Sequence, residues 1–264
     1  MKNTRLIVAA ATAMLTMAQA AEAQDKLAVT ADADIVSHYM WRGTDKGGIT
    51  IIPEARMEWK GASLKLQGTA GIDNDDPKEI DLTLGYKCKF FNIGLTDYWT
   101  SGNDLDGHNL YFAWDPAKNA HQMEANIGVD LGFLSLQVYT MVGGNDFKYS
   151  SLADTELRTN GKRAYSTYIE VRVPFAWKGL EWDVKAGLTP AESACTIEGE
   201  EVGGYIAMRR NHYYADQFSM VMASVRATKR LNICNAKVPV FVEVHTNPYL
   251  KRANFLVGFT AHLF

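Results

Sequence analysis

The chain has 264 residues, 47% of them hydrophobic, with 27 Lys and Arg against 30 Asp and Glu and a formal net charge of −3. That balance offers no basic footprint for nucleic acid and no acidic tail. The three cysteines, Cys88, Cys195 and Cys234, are scattered and odd in number, so they define neither a disulfide framework nor a metal-ligand spacing, and no cofactor is expected.

The first residues carry Lys2 and Arg5, an apolar run from Leu6 to Ala18, and small residues at Ala18, Ala20, Ala21 and Ala23. This pattern predicts a secretory signal peptide over 1–23, cleaved to leave 24–264 as one unit. Beyond it no apolar run reaches the ~18 residues that a bilayer-spanning helix needs.

A period of two then recurs along the chain in about twelve segments, as expected of strands with one apolar and one polar face. The first sets Leu27, Val29, Ala31, Ala33, Ile35, Tyr39 and Trp41 against Asp32, Asp34, His38 and Arg42. The second opposes Ile51, Ala55, Met57 and Trp59 to Glu54, Arg56 and Glu58. Leu64–Ile72 forms the third, and the fourth places Ile80, Leu82, Leu84 and Tyr86 opposite Glu79, Asp81 and Lys87. The fifth, Phe91–Thr100, holds Trp99 on its apolar row together with an anomalous Asp97, which predicts either a position above the apolar zone or a bulge.

The sixth segment opposes Ile127, Val129 and Leu131 to Glu124 and Asp130, and the seventh covers Leu134–Val142. The eighth and ninth form a hairpin about Lys178-Gly179. Its apolar face carries Phe175, Trp177 and Trp182, and its polar face carries Glu170, Arg172, Glu181, Asp183 and Lys185. Phe218–Arg230 with Arg226 and Arg230, Val238–His245 with Glu243, and Ala253–Phe264 complete the set.

These segments run to about ten to thirteen residues, against ~5–6 for strands of soluble proteins and ~9–11 for tilted strands that cross a bilayer. Alternate connections are short, at 61–63, 90–92, 132–133, 178–179 and 231–237, whereas those at 101–120, 143–162 and 190–217 are long and polar. Short turns on one side and long loops on the other are the habit of outer-membrane barrels. The expectation is therefore an all-β, transmembrane, antiparallel up-and-down β-barrel of about 12 strands, with 10 or 14 as alternatives, in the outer membrane of a Gram-negative bacterium. A soluble periplasmic β-sandwich, burying the same apolar faces between two sheets, is the competing architecture.

In the barrel reading the polar rows line the lumen, which assigns Asp32, Asp34, His38, Arg42, Glu54, Arg56, Glu58, Glu124, Asp130, Glu170, Arg172, Glu181, Asp183, Lys185, Arg226, Arg230 and Glu243 to the pore. Aromatic belts at the two bilayer surfaces take Trp59, Tyr86, Trp177 and Trp182 at the short-turn end, and Tyr39, Trp41 and Trp99 at the other. The last strand carries a clean apolar series, Phe255, Val257, Phe259, Ala261 and Leu263, with Gly258, Ala261 and Leu263 as an assembly signal.

The segment Ser37-His38-Tyr39-Met40-Trp41-Arg42-Gly43 resembles the S-x-Y-x-[FW]-R-G signature of the TorF-like outer-membrane family, notably its Bacteroides-type branch. Glu79–Tyr86, Gly94–Trp99, Ala227-Thr228-Lys229, Asn247-Pro248-Tyr249 and Gly258 are similar to the same family. The resemblance implies an outer-membrane barrel and, for some members, a porin-like role.

The expected function is passive passage of small polar solutes through a narrow, charge-lined lumen, since a selective path needs only a wet lumen with placed charges. A plugged structural or surface-interaction barrel, using loops that carry Phe147, Tyr149, Tyr205, Tyr213 and Tyr214, is the first alternative. A membrane-embedded lipid hydrolase is the second, weakened because no nucleophile elbow or zinc helix occurs. The expected partners are membrane lipids and lipopolysaccharide, the barrel-assembly machinery and small polar solutes. The acidic clusters Asp73–Asp76 and Asn103–Gly107 read as turn chemistry, without the calcium-loop spacing.

Overall fold

The computed structural model describes residues 26–73, 78–102, 110–113, 120–202, 205–233 and 236–263. The expected signal peptide lies outside them, as do residues 74–77, most of the 101–120 connection, Cys234 and Phe264. The first stretch of strands is β1 (Ala28–Val36), β2 (Tyr39–Trp41), β3 (Thr44–Gly47), β4 (Thr50–Trp59), β5 (Ala62–Gly71), β6 (Lys78–Cys88), β7 (Phe91–Thr100), β8 (His121–Asp130) and β9 (Ser135–Gly144). Then come β10 (Phe147–Lys148), α1 (Leu152–Leu157), β11 (Lys162–Arg163), β12 (Thr167–Trp177), β13 (Leu180–Thr189), β14 (Cys195–Val202) and β15 (Tyr205–His212). The chain finishes through β16 (Ser219–Ile233), β17 (Ala236–Asn247) and β18 (Arg252–His262).

Twelve of these strands, β1, β4 to β9, β12, β13 and β16 to β18, close into one antiparallel barrel in which each pairs with its chain neighbour among the twelve. The seam joins β1 to β18, with Asp32 opposite His262 and Val36 opposite Gly258. The remaining strands sit at the long-loop end. β11, β10, β14 and β15 form a separate sheet in that order, and β2 pairs only with β3.

At the other end the connections are tight. Lys60-Gly61 and Lys178-Gly179 hold positive φ at both residues, 50° and 84°, then 51° and 73°. This is the two-residue hairpin turn whose twist matches the flanking strands. Glycine at the second position removes the steric cost of that conformation.

The alternation read from the sequence maps onto two surfaces. Outward rows carry apolar side chains without protein cover, Leu84 and Ile127 being 57% exposed, with Val225, Val242, Val257, Phe255 and Phe259 also exposed. Inward rows carry most of the charge, but not only charge. Val36, Phe241 and Leu256 form a buried apolar cluster inside the barrel, with Ile52 and Met40 packed against it. Gly258 makes room for it, since a Cβ there would lie 2.5 Å from the Phe241 ring and 2.7 Å from the Ile35 carbonyl oxygen.

Among the described residues two bulges disturb the ladders of the barrel wall. One falls where β8 meets β9, between Met123 and Glu124, and the other where β13 meets β16, between Gly187 and Leu188. Around the second, Val221 is the extra residue of β16 between Met220 and Met222, and it is buried. Bulges re-aim backbone groups, and here the Val221 carbonyl is brought against the hairpin described below.

Gly258→Val places two methyl groups at the seam against Phe241 and the β1 backbone. Overpacking of this kind costs ~1–3 kcal/mol. The expected result is a lowered urea midpoint and a smaller fraction of compact, fast-migrating barrel on an unheated gel, whereas Val257→Ala, one residue away on the outward row, leaves the migration unchanged.

Candidate functional site in the barrel lumen

The first segment of the sequence is not one strand. β1 ends at Val36, and Ser37 fastens the chain to β18, its N–H donating to the Val257 carbonyl at 2.9 Å while its Oγ accepts from the Val257 N–H at 3.0 Å. From there β2 and β3 fold into the lumen. The turn between them is Arg42-Gly43, with φ of 47° and 87°, and Trp41 opposite Thr44. The Gly43 N–H donates to His245 Nε2 at 3.0 Å, and Asn247 Nδ2 donates to the Gly43 carbonyl at 3.2 Å. A Cβ at Gly43 would meet the Val221 carbonyl oxygen at 1.9 Å, so only glycine fits this docking.

The acceptor role of His245 Nε2 settles its tautomer by hydrogen-bond logic, leaving the proton on Nδ1. That nitrogen faces Glu243 Oε1 at 3.1 Å, and Glu243 Oε2 accepts from Arg226 Nε at 2.6 Å. A chain of polar contacts therefore runs from the wall to the hairpin tip.

Arg42 is the centre of the site. Its Nη2 donates to Glu124 Oε1 at 2.8 Å, and its Nη1 donates to Glu124 Oε2 and, at 2.7 Å, to the Tyr214 hydroxyl. The guanidinium carbon lies 4.6, 4.2 and 4.7 Å from the ring centroids of Trp41, Tyr139 and Tyr168. Tyr98 donates its hydroxyl to Glu124 Oε1 at 3.0 Å. With side chains only 9% and 2% exposed, Arg42 and Glu124 form a buried ion pair. Such a pair gains little net stability over an apolar equivalent, but removing one partner strands the other and costs ~3–5 kcal/mol.

The tail of the 190–218 connection closes the site from above. Trp41 packs against Tyr98, Tyr213 and Tyr214 with centroids 5.7–6.2 Å apart, and Tyr213 donates to Gln122 Oε1 at 3.2 Å. Burial pushes the hydroxyls of both Tyr213 and Tyr214 well above the ordinary phenol value, so both stay neutral.

Beneath this roof lie two chambers that share Tyr39, Trp41, Arg42, Glu170 and Lys185 in their walls. The larger, about 1320 Å³, reaches down to Gly61, Ala62 and Lys89 at the short-turn end. Seven of its wall residues are Lys or Arg and four are Asp or Glu, and Glu124, Glu54 and Asp183 just behind the wall pair with four of the cations, so both signs border it. The smaller, about 240 Å³, is bounded by Asp34, His38, Met40, Arg226, Glu243 and His245 among others.

The charged residues singled out in the sequence are for the most part tied to one another. Asp32 pairs with His262, Asp34 accepts from Thr260, and Arg56 lies between Glu54 and Glu58. Asp130 pairs with Lys87, Arg172 with Asp183 and Arg230 with Glu181, while Glu170 accepts from Tyr168. Arg172 stands opposite Lys185 and reaches Asp183 diagonally, so like charges meet across the ladder and opposite charges meet one step away.

The aromatic belt needs correction at the long-loop end. Tyr39, 7% exposed, directs its hydroxyl at Glu79 inside the barrel, and Trp41 belongs to the lumen roof. The alternation through Ser37 hid a reversal of the chain. Trp99 keeps the outward row but is only 8% exposed, because Tyr111 packs edge-on against it at 5.4 Å. Beside it, Asp97 accounts for its anomaly by accepting from His121 Nδ1 at 2.9 Å, and His121 Nε2 meets the Tyr111 carbonyl at 2.6 Å. At the short-turn end Trp59 and Trp177 are more than half exposed and face outward, Trp182 stacks on Phe175 at 6.2 Å, and Tyr86 is half-buried at the larger chamber's mouth.

The roof residues Tyr98, Tyr139 and Tyr168, with Tyr214, were not assigned to the lumen from the sequence. The available signal was that Tyr98, Tyr139 and Tyr168 occupy the polar rows of their strands, where a water-filled channel has no use for a ring.

No family model matches the chain, and no curated protein matches it in sequence. Among solved structures, the NanC porin is 6% identical, covering 88% of this chain and 98% of that one with a TM-score of 0.42. Salmonella typhi OmpF in complex with daunomycin is 10% identical over 90% and 98% of the two chains, with a TM-score of 0.36. BamA from Haemophilus ducreyi lacking POTRA domains 1–3 is 8% identical over 97% and 77%, with a TM-score of 0.32. At these values the likeness does not extend to function.

Glu124→Gln leaves Arg42 buried without its counter-charge. The expected loss is ~3–5 kcal/mol of hairpin docking, read as increased solvent quenching of tryptophan fluorescence and proteolytic cleavage within 38–48. The double substitution Arg42→Met with Glu124→Met restores protection to near the wild-type level.

Proposed function

We propose that the protein is an outer-membrane, porin-like barrel that passes small polar solutes through a lumen constricted by the β2–β3 hairpin. The observation that carries this reading is the closed barrel itself, apolar outside and charged inside, with a hairpin docked across its interior. A closed sheet pairs its backbone groups without an edge, which is what hydrocarbon demands of a strand protein. The short turns then face the periplasm and the long loops the exterior, with Trp59 and Trp177 at the inner headgroup level. The resemblance of Ser37–Gly43 to the TorF-like signature accords with this placement, which carries with it membrane lipids, lipopolysaccharide and the barrel-assembly machinery as proposed partners.

Both signs border the larger chamber, which argues against strong anion or cation selectivity. Lys185 is the cation placed to weigh most on passing ions, because it stands in the walls of both chambers and, unlike Arg42, makes no salt bridge among the described residues. A catalytic role is not part of the proposal. In the pair that most resembles a hydrolase dyad, Asp97 and His121, the second ring nitrogen of His121 is bound to the Tyr111 carbonyl at 2.6 Å rather than set against a hydroxyl nucleophile.

Two measurements test the proposal. In planar bilayers the wild type is expected to conduct weakly, and a variant with residues 38–48 replaced by Asn-Gly to conduct several-fold more. Lys185→Glu moves the reversal potential in a salt gradient toward cations. Silence of the trimmed variant would overturn the channel and favour the plugged interaction barrel, whose outer sheet of β10, β11, β14 and β15 is the surface on offer.

The membrane placement is tested separately. Val257→Arg, on the outward row, is expected to cost ~2–4 kcal/mol in equilibrium unfolding from lipid vesicles. A change within ~0.5 kcal/mol, as for an ordinary water-facing site, would contradict it.

A further inference from the structure

Above the lumen, the outer sheet holds a group of side chains that the channel reading does not use. Glu192, Cys195 and His212 bring a carboxylate oxygen, a sulfur and an imidazole nitrogen within 4.8 Å of one another. Cys195 and His212 stand directly opposite on β14 and β15, and Glu192 precedes Cys195 by three residues on the approach to β14. We propose that these three residues bind a divalent cation of the zinc class.

The chemistry of the donor set selects the ion. A thiolate, a neutral imidazole and a carboxylate are the ligand types of Zn²⁺, and three protein ligands leave a fourth position open. The two anionic donors balance the charge of the cation. Sulfur is foreign to the all-oxygen shells of calcium and magnesium. Binding converts the Cys195 thiol to a metal thiolate and releases its proton to solvent.

The site also has the character of a prepared one. Cys195 is a free thiol, 2% exposed, whose Sγ donates to the Tyr149 carbonyl at 3.8 Å. Among the described residues His212 Nε2 is buried without a hydrogen bond, facing Glu192 Oε1 at 3.5 Å. An orphaned imidazole nitrogen turned toward a carboxylate and a thiol is poorly explained by packing alone, because a buried polar atom without a partner costs ~1–3 kcal/mol.

The backbone around the three ligands is pinned. Buried Ser193 accepts from the Tyr214 N–H at 2.9 Å and donates to the Ala215 carbonyl at 3.0 Å. Tyr213 N–H bonds the Ala194 carbonyl at 2.8 Å, and Tyr149 N–H bonds that of Cys195 at 3.2 Å. Lys148 and Arg210 lie 3.4 and 3.9 Å from the Glu192 oxygens and compete for its charge. They set the affinity below that of a site without cations. Because Tyr213 and Tyr214 follow His212 directly, the bound ion braces the end of the outer sheet from which the lumen roof descends.

The test is a cobalt titration of the full-length barrel in detergent micelles, reduced, metal-free and without a histidine tag. One equivalent of Co²⁺ is expected to produce the intense visible bands of a four-coordinate ion and a thiolate-to-cobalt charge-transfer band, both removed by added Zn²⁺. Cys195→Ser abolishes the charge-transfer band. His212→Gln weakens binding by ~10-fold or more, at least the loss seen when a supporting partner is removed. Cys88→Ser and Cys234→Ser leave the spectrum unchanged. If folded wild-type protein shows only the weak bands of hydrated cobalt, or if the charge-transfer band survives Cys195→Ser, the site does not exist.

Discussion

A guanidinium removed from water must be compensated on every side, and the lumen is arranged around that requirement at Arg42. Glu124 receives its charge, Tyr214 takes a remaining proton, and Trp41, Tyr139 and Tyr168 supply the ring faces. The partners come from β2, β8, β9, β12 and the connection before β16. Docking of the hairpin therefore depends on several strands being in register at once. A buried ion pair contributes modestly to stability but penalises every arrangement in which one partner is missing, and here that penalty specifies one position for the hairpin.

The same requirement explains why the interior divides into unlike regions. Around Arg42 the polar rows supply tyrosines and the lumen is filled. Near Val36, Phe241 and Leu256 an apolar cluster covers one flank of the hairpin through Met40. Away from both, cross-linked charges border the larger chamber, where pairs such as Lys87 with Asp130 stay partly exposed. Exposed pairs of this kind contribute little to stability, so their arrangement can vary at little cost to the fold.

Much of the barrel was legible in the sequence, because a sheet with two different environments writes a period of two into its residues. That signal depends only on which side of a strand a residue occupies. It is blind to a reversal of the chain, and so Tyr39 and Trp41 continued the outward row of β1 on paper while the hairpin carried them inside. Arg42-Gly43, a cation followed by a glycine in an aromatic setting, marked the turn but not its direction. Asp97 was recognised as out of place, yet its partner His121 lies on the next strand beyond a long connection, where only register brings them together. Glu192, Cys195 and His212 escaped notice for the same reason, since the opposition of Cys195 and His212 exists only once β14 and β15 are paired.

The seam has a consequence for the order of assembly. Asp34 and Thr260 meet across 226 residues, and Gly43 meets His245 and Asn247 across 202 and 204. Contacts so distant along the chain form late, because the entropy of closing the intervening loop must first be overcome. The hairpin emerges early in synthesis, but the strand that receives its tip is the penultimate one. The stopper's tip thus gains its anchors on β17 only as the last staves arrive, so locking it and sealing the wall fall at the same late stage.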